Sequence, residues 1–170
     1  MSGVPDQACL EALAEAVGKA LRANGLRLSA AESCTGGWVS QCVTAVAGSS
    51  DWFERGFVTY SNEAKQEMLG VPAEVLIRHG AVSEAAAAAM ATGALTHSRA
   101  DWALAITGIA GPTGGTPEKP VGMVCFAWAG SAGEVIVATR RFQGDRRAVR
   151  AQSVEYALSE MLRHVATMTA

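Results

Sequence analysis

The segment LRLSAAESCTGGWVSQCVTAVAG, which runs from Leu26 to Gly48, predicts a strand, a sharp turn and a helix in succession. Its first seven residues, LRLSAAE, have the length and pattern of a short strand. Gly36 and Gly37 permit a sharp turn, and a helix is expected from Trp38 until Gly48 ends it. A strand that passes directly into a helix is the unit from which α/β proteins are built, so this segment favours that class.

The rest of the chain continues the alternation of helices and strands. The predicted order, α-β-α-β-α-α-β-β-β-α, indicates a mixed sheet with helices on both faces. Its last two strands are joined by Gly130–Gly133 and are expected to form an antiparallel hairpin. The other expected elements are helices over 6–24, from Ser61 or Asn62 through Leu69, from Pro72, over 83–98 and after Asp145, and strands over 56–60, 102–107, 121–129 and 134–142.

Length and composition restrict the class of protein. With 170 residues, the chain is expected to form one domain over residues 1–170. Its formal net charge of -2 predicts neither a nucleic-acid partner nor attachment to an anionic membrane. Its scattered cysteines include no C-x-x-C pair, so we expect no metal site and no disulfide framework. The sequence has no secretory signal and no run approaching the roughly 18 apolar residues of a membrane helix, so we expect a cytoplasmic protein.

The turn after the first predicted strand contains a candidate nucleophile, Ser33. Ligands of α/β sheets gather beyond the carboxyl ends of the strands, where the backbone amides of Thr35, Gly36 and Gly37 can hold an oxyanion. Read from the turn alone, Ser33 or Thr35 is more simply the cap of the following helix. Cys34 is the competing nucleophile, but none of the three histidines is in a strand-end loop where it can activate the thiol.

A serine without a histidine needs another base, and Lys65 is the candidate. A lysine that is desolvated at the start of a helix can lose its proton near neutral pH. Tyr60 ends the preceding strand and can flank the same pocket, where its phenol can relay or donate a proton. The spacing also permits an ordinary solvated lysine on an exposed helix face.

A glycine-rich loop, TGIAGPTGG, follows the predicted strand over 102–107. It matches neither a Walker A motif nor a dinucleotide fingerprint. Its backbone can wrap a phosphate or a sugar, although a plain surface loop has the same composition. The candidate substrate-binding residues in this loop are Thr107, Gly108, Gly111 and Gly114.

Two arginines of the last predicted helix form a second candidate anion site. Arg146 and Arg150 are four residues apart and therefore share one helix face. Their planar guanidinium groups can hold a phosphate. A salt-bridged pair on the surface is the alternative.

The chain resembles the nicotinamide-mononucleotide deamidase family, the PncC or CinA C-terminal domain family. The resemblance covers nearly the whole chain in the family's order and spacing, and it implies a three-layer α/β/α sandwich around a mixed, mostly parallel sheet. The segments that carry it are AESCTGG, AGSSDWFERGFVTYSNEAKQEMLGV, AVSEAAAAAMATGAL and AITGIAGPTGGTPEKPVG.

The resemblance also implies an activity and the residues that perform it. The activity is hydrolysis of the carboxamide of nicotinamide mononucleotide to nicotinic acid mononucleotide and ammonia, in pyridine nucleotide recycling. The family's serine nucleophile falls on Ser33, its lysine base on Lys65 and the tyrosine of its YSNEAK motif on Tyr60. The resemblance implies no metal or organic cofactor, and it favours a homo-oligomer, in particular a dimer.

A non-enzymatic nucleotide-binding module is the alternative function. Such a module would keep the pocket for regulation and would not need a nucleophile and a base. The joint presence of Ser33, Tyr60 and Lys65 argues against it.

Overall fold

The computed structural model describes residues 3–167 of the chain, which form one five-stranded sheet with helices on both faces. A short 3-10 turn over Ser49–Asp51 precedes the second strand. The helices are α1 (Gln7–Ala23), α2 (Trp38–Thr44), α3 (Asn62–Leu69), α4 (Ala73–His79), α5 (Glu84–Thr96) and α6 (Arg146–Thr167), and the strands are β1 (Leu28–Glu32), β2 (Phe53–Val58), β3 (Trp102–Gly108), β4 (Met123–Gly130) and β5 (Val135–Arg141).

The strand order is β2-β1-β3-β4-β5. Strands β2 and β3 both pair with β1 in parallel, and β4 pairs antiparallel with β3 and with β5. Four of the five strands therefore run in the same direction, and β4 alone is reversed. The predicted three-layer α/β/α sandwich with a mixed, mostly parallel sheet is confirmed, and so is the antiparallel pair at the end of the sheet.

Each face of the sheet has its own hydrophobic core. Helices α1, α2 and α6 pack on one face, where Leu10, Val39 and Leu158 are fully buried. Helices α3, α4 and α5 cover the other face, with Leu69 and Met90 buried there. Burial of these apolar side chains from both layers holds the carboxyl ends of β1, β2 and β3 at one edge of the sandwich.

The boundaries of two elements differ from the sequence prediction by three residues or more. Strand β2 begins at Phe53, three residues earlier than expected, because the edge strand keeps Glu54 and Arg55 at its exposed or partly buried positions while it pairs with β1. Helix α2 ends at Thr44, before the predicted Gly48. No helix within residues 3–167 is long and apolar enough to cross a membrane.

Candidate active site

A pocket of about 260 Å³ lies where the loops after β1, β2 and β3 meet. Since these three strands are parallel, their carboxyl ends open at the same edge of the sheet. Strand β1 lies between the other two, so the chain continues from β1 to β2 on one side and later returns to β3 on the other. The loop before α5 and the start of α6 complete the walls. The lining residues are Ser33, Cys34, Tyr60, Asn62, Lys65, Ala81, Val82, Thr107, Gly108, Ala110 and Arg146.

Ser33 and Lys65 form a hydrogen bond inside this pocket. Lys65 Nζ lies 3.0 Å from Ser33 Oγ and donates a second hydrogen bond of 2.8 Å to the carbonyl oxygen of Thr59. The Lys65 side chain is 1% exposed, and no carboxylate in residues 3–167 forms an ion pair with it. Burial lowers the pKa of Lys65 below its ordinary value, because the charged form loses its hydration. The pair therefore has the geometry of a nucleophile and a base.

The position of Lys65 follows from how α3 begins and ends. The Ser61 side chain caps the helix by accepting a hydrogen bond of 3.0 Å from the Ala64 N–H, one of the two caps expected from the sequence. The other end of α3 lies against α5, where the α-carbon of Gly93 sits so close to Leu69 that an added Cβ would be 2.0 Å from the Leu69 carbonyl oxygen. Gly93 therefore allows α3 to approach the sheet with Lys65 on its buried side.

The turn after Ser33 uses both glycines in the left-handed region, with φ of 61° at Gly36 and 97° at Gly37. The Gly36 N–H donates to the carbonyl oxygen of Ser33 at 3.0 Å, and the Gly37 N–H donates to Glu32 Oε2 at 3.1 Å. These two amides are thus already engaged within the turn, which differs from the expectation that they hold an oxyanion. Neither Cys34 nor Thr35 donates its N–H to a main-chain acceptor within the described part of the chain, and the Cys34 N–H lies beside its own thiol.

Glu32 is a residue of this site that the sequence reasoning missed. Its side chain is fully buried, and its carboxylate accepts hydrogen bonds from the N–H groups of Gly37, Val39 and Ser40 and from the Ser40 hydroxyl, at 2.9–3.1 Å. An acidic residue next to the start of a helix is a recognisable signal, since carboxylates are stabilised there. Read from the turn alone, Ser33 or Thr35 is the simpler cap of α2, but in the structure the N-cap residue is Gly37 and α2 has no side-chain cap from it.

Cys34 does not have the environment of a thiolate nucleophile. Its side chain is buried, and burial raises its pKa to about 12. No histidine lines the pocket. The prediction that Cys34 fills space beside Ser33 agrees with its place in the core of the α1, α2 and α6 face.

Tyr60 and Arg146 meet at the mouth of the pocket. Tyr60 is 63% exposed, and its hydroxyl accepts a hydrogen bond of 3.0 Å from Arg146 Nη2. Arg146 Nη1 donates to the carbonyl oxygen of Gly111 at 2.8 Å. The guanidinium group thus links the loops that follow β2 and β3, and it stays partly accessible to a ligand.

Arg150 has a different role from Arg146 although it is one turn away on α6. Its Nε and Nη2 donate to the carbonyl oxygens of Cys34 and Thr35 at 3.0 and 2.8 Å, and its guanidinium group lies over the Trp38 ring. These contacts hold the turn after Ser33 from outside. Arg150 is not among the residues that line the pocket.

The other predicted binding residues are divided between the pocket and its surroundings. Thr107 and Gly108 line the pocket, and Thr107 Oγ1 donates to the Ala81 carbonyl oxygen at 2.8 Å, which fixes the opposite wall. Five predicted residues lie outside the lining: the buried Thr35, Gly36, Gly37, the buried Gly111, whose carbonyl oxygen binds Arg146, and the exposed Gly114. No cluster of metal-ligating side chains occurs within residues 3–167.

Fold and pocket together define an α/β/α-sandwich protein in which a serine and a buried lysine are paired at the carboxyl ends of parallel strands. The model of the CinA C-terminal domain family matches residues 10–165. The chain therefore belongs to the CinA C-terminal domain family, as the resemblance of its motifs predicted.

Characterised relatives and solved structures agree with this membership. The chain is 58% identical to nicotinamide-nucleotide amidohydrolase PncC of Escherichia coli K12 over 149 residues, which are 88% of this chain and 90% of the relative. It is 51% identical to the protein of the same name from Enterobacter agglomerans, covering 91% of this chain and 94% of that one. The crystal structure of the competence/damage inducible protein CihA from Agrobacterium tumefaciens superposes with a TM-score of 0.89 at 46% identity, over 98% of this chain and 99% of that one.

Proposed function

We propose that the protein hydrolyses the carboxamide of nicotinamide mononucleotide, giving nicotinic acid mononucleotide and ammonia as a step of pyridine nucleotide recycling. The observation that carries this proposal is the 3.0 Å contact between Lys65 Nζ and Ser33 Oγ in a pocket that also contains Arg146. The names of the PncC relatives, which state nicotinamide-nucleotide amidohydrolase activity, supply the substrate class.

The acylation step uses Ser33 as the nucleophile and Lys65 as the base. Burial without a carboxylate partner favours the neutral amine, which takes the proton of the Ser33 hydroxyl as its oxygen attacks the carboxamide carbon. The N–H groups of Cys34 and Thr35, which bind no main-chain acceptor, are the donors assigned to the resulting oxyanion. When the C–N bond breaks, the Lys65 ammonium group returns the proton to the leaving nitrogen, and ammonia departs.

Deacylation repeats the same proton transfers with water. Neutral Lys65 removes a proton from a water molecule, which attacks the acyl carbon of the Ser33 ester. Collapse of the tetrahedral intermediate breaks the bond between this carbon and Ser33 Oγ, and Lys65 returns the proton to the serine. The carboxyl group formed loses its proton to the solvent, the product leaves as a carboxylate, and the enzyme regains its starting protonation state.

Binding of the substrate 5′-phosphate is assigned to Arg146 rather than to Arg150. Arg146 lines the pocket, and its contact with the exposed Tyr60 hydroxyl can be exchanged for a phosphate oxygen. Arg150 does not line the pocket, and its Nε and Nη2 each donate to a backbone carbonyl oxygen of the turn. Tyr60, at the mouth of the pocket beside Arg146, then serves as a second phosphate contact.

The test is ammonia release from nicotinamide mononucleotide by the wild type and by three variants. We expect the wild type and Cys34→Ala to be active, and Ser33→Ala and Lys65→Ala to lose at least about a thousandfold in kcat. An inactive Cys34→Ala variant together with an active Ser33→Ala variant would reject the serine mechanism. A wild type that binds the nucleotide tightly and releases no ammonia would instead identify a non-enzymatic binding module.

A further inference from the structure

The hydrogen-bond donors around the Glu32 side chain match an ionised carboxylate. It is fully buried, and four donors converge on it: three main-chain N–H groups and the Ser40 hydroxyl. An ionised carboxylate only accepts hydrogen bonds and has about four lone-pair sites for them. A glutamine of the same shape would direct an NH₂ group toward some of these N–H donors. The site therefore requires the carboxylate rather than a polar side chain in general.

The main chain of Glu32 connects this carboxylate to both halves of the proposed catalytic pair. Ser33 follows it directly in the chain. On the other side, the Glu32 carbonyl oxygen accepts a hydrogen bond of 2.8 Å from the Thr59 N–H, and the Thr59 carbonyl oxygen accepts one from Lys65 Nζ. The turn that carries the nucleophile and the strand end that holds the base thus meet at Glu32.

A neighbouring glycine provides an independent sign that this arrangement is specific. Ser40, which donates both its N–H and its hydroxyl to Glu32 Oε1, packs against Gly56 of the edge strand β2. A Cβ at position 56 would lie 2.3 Å from Ser40 Oγ. The space beside β2 is therefore just large enough for the serine hydroxyl in the rotamer that reaches Glu32.

We propose that Glu32 is a positioning residue that fixes the turn over residues 33–37, and with it the place of Ser33 Oγ and the direction of the Cys34 and Thr35 amides. This inference rests on the proposed function, because it assigns Glu32 to the same Ser33 and Lys65 chemistry. Glu32 acts through the turn, since it does not line the pocket.

The experiment compares Glu32→Gln and Ser40→Ala with two controls by two readouts. The first readout is kcat and KM for ammonia release from nicotinamide mononucleotide. The second is the rate at which a fluorophosphonate probe labels Ser33, which forms a bond between Oγ and phosphorus, releases fluoride and leaves the serine proton on Lys65. The labelling readout does not depend on the natural substrate. Labelled peptides are identified by mass spectrometry, with Ser33→Ala as the blank.

Two controls separate positioning from a general loss of structure. Val17→Ala truncates a fully buried side chain of α1, far along the chain from the turn, and lowers stability. Ser29→Ala removes a buried hydroxyl without a described partner from β1, the strand that leads to the site. Both controls are expected to keep kcat and the labelling rate within about twofold of the wild type, since neither residue belongs to the turn or binds Glu32.

We expect Glu32→Gln to lower kcat and the labelling rate by about tenfold to a hundredfold while KM changes by less than about threefold, since small displacements of a reacting group have effects of this size. The kcat and the labelling rate of Ser40→Ala should lie between those of the wild type and those of Glu32→Gln. If Glu32→Gln does not fold, the rates of Ser40→Ala alone test the positioning role. Wild-type rates in both Glu32→Gln and Ser40→Ala would overturn the positioning role.

The two readouts also distinguish failure of this inference from failure of the proposed function. A wild type that is labelled at Ser33 and releases no ammonia contradicts the proposed substrate, and the labelling rates of the variants still test the role of Glu32. A wild type that is neither labelled nor active overturns both proposals.

Discussion

Lys65 Nζ donates one hydrogen bond to Ser33 Oγ and another to the carbonyl oxygen of Thr59, in a position that is almost fully enclosed. Neither partner is a carboxylate, so burial leaves the ammonium ion without a counter-ion and favours the neutral amine. A buried lysine without a counter-ion is unfavourable for the fold, and its presence in the lining of the pocket fits a group retained for chemistry.

The unfavourable burial of Lys65 predicts that its replacement by an apolar side chain stabilises the protein. Lys65→Met should abolish ammonia release and raise the free energy of unfolding at pH 7 by about 1 kcal/mol, since the cost of burying or deprotonating an amine that is charged in the unfolded chain outweighs two lost hydrogen bonds. The gain should decrease as the pH rises through the lowered pKa of Lys65 toward 10.5, because the folded wild type then releases its proton before the unfolded chain does. Urea unfolding of both proteins at several pH values measures this; equal or lower stability of Lys65→Met at pH 7 contradicts it.

The same pKa shift predicts the pH dependence of activity. Only the neutral form of Lys65 can take the Ser33 proton, so kcat/KM should increase with pH up to the lowered pKa of Lys65 and reach its plateau below 10.5. Initial rates from pH 6 to 10, in buffers of constant ionic strength, give the profile. A rate that is constant over this range would show that deprotonation of a lysine does not limit the reaction.

Arg146 and Arg150 are predicted to affect different kinetic constants. Arg146→Ala should reduce kcat/KM for nicotinamide mononucleotide by about tenfold to a hundredfold and change that for the nucleoside without phosphate by less than about threefold, the size expected for one charged hydrogen-bonded contact. Arg150→Ala should lower kcat for both substrates alike, because its contacts with the Cys34 and Thr35 carbonyl oxygens hold the turn. The measurement is kcat and kcat/KM of each variant for both substrates. An equal loss of kcat/KM for both substrates in Arg146→Ala contradicts phosphate binding by this residue.

Contact between Gly93 and Leu69 predicts a remote effect on the base. Gly93→Ala places a Cβ 2.0 Å from the Leu69 carbonyl oxygen, so α3 must move away from α5. Overpacking of this kind lowers the free energy of unfolding by about 1–3 kcal/mol, which should exceed the stability gained from the higher helix propensity of alanine. Because Lys65 is on α3, kcat should fall with the melting temperature. Thr92→Ala, an exposed position on the same helix, is the control, and an active, equally stable Gly93→Ala variant contradicts the prediction.

The sequence allowed prediction of the pairing of Ser33 with Lys65 but not of the division of labour between the two arginines. Parallel strands bring their carboxyl ends to one edge of a sheet, so residues just after β1 and β2 were expected to meet. Helical spacing places Arg146 and Arg150 on one face, but the depth of each depends on how α6 approaches the turn after Ser33, which is a matter of tertiary packing. Glu32 was missed for a related reason: three of its four donors are main-chain N–H groups, which no residue type reveals.

The last prediction concerns stability at acidic pH and the ring of His164. This ring lies parallel to the Trp102 ring, with centroids 6.2 Å apart, and edge-on to Trp128 at 5.3 Å, and its buried Nε2 has no partner within the described residues. Burial lowers the pKa of His164 below 6.5, while the nearby Glu160 and Arg163 have smaller and opposing effects.

The unfolded chain therefore takes up a proton first, so the stability due to neutral His164 is complete above pH 6.5 and is lost as the pH falls through the lowered pKa. His164→Phe keeps the ring contacts without the titration, and it should lose less stability than the wild type between pH 7 and pH 5, by up to about 1.4 kcal/mol for each pH unit of pKa shift. Equal losses in urea unfolding at the two pH values would show that this histidine does not contribute to acid sensitivity.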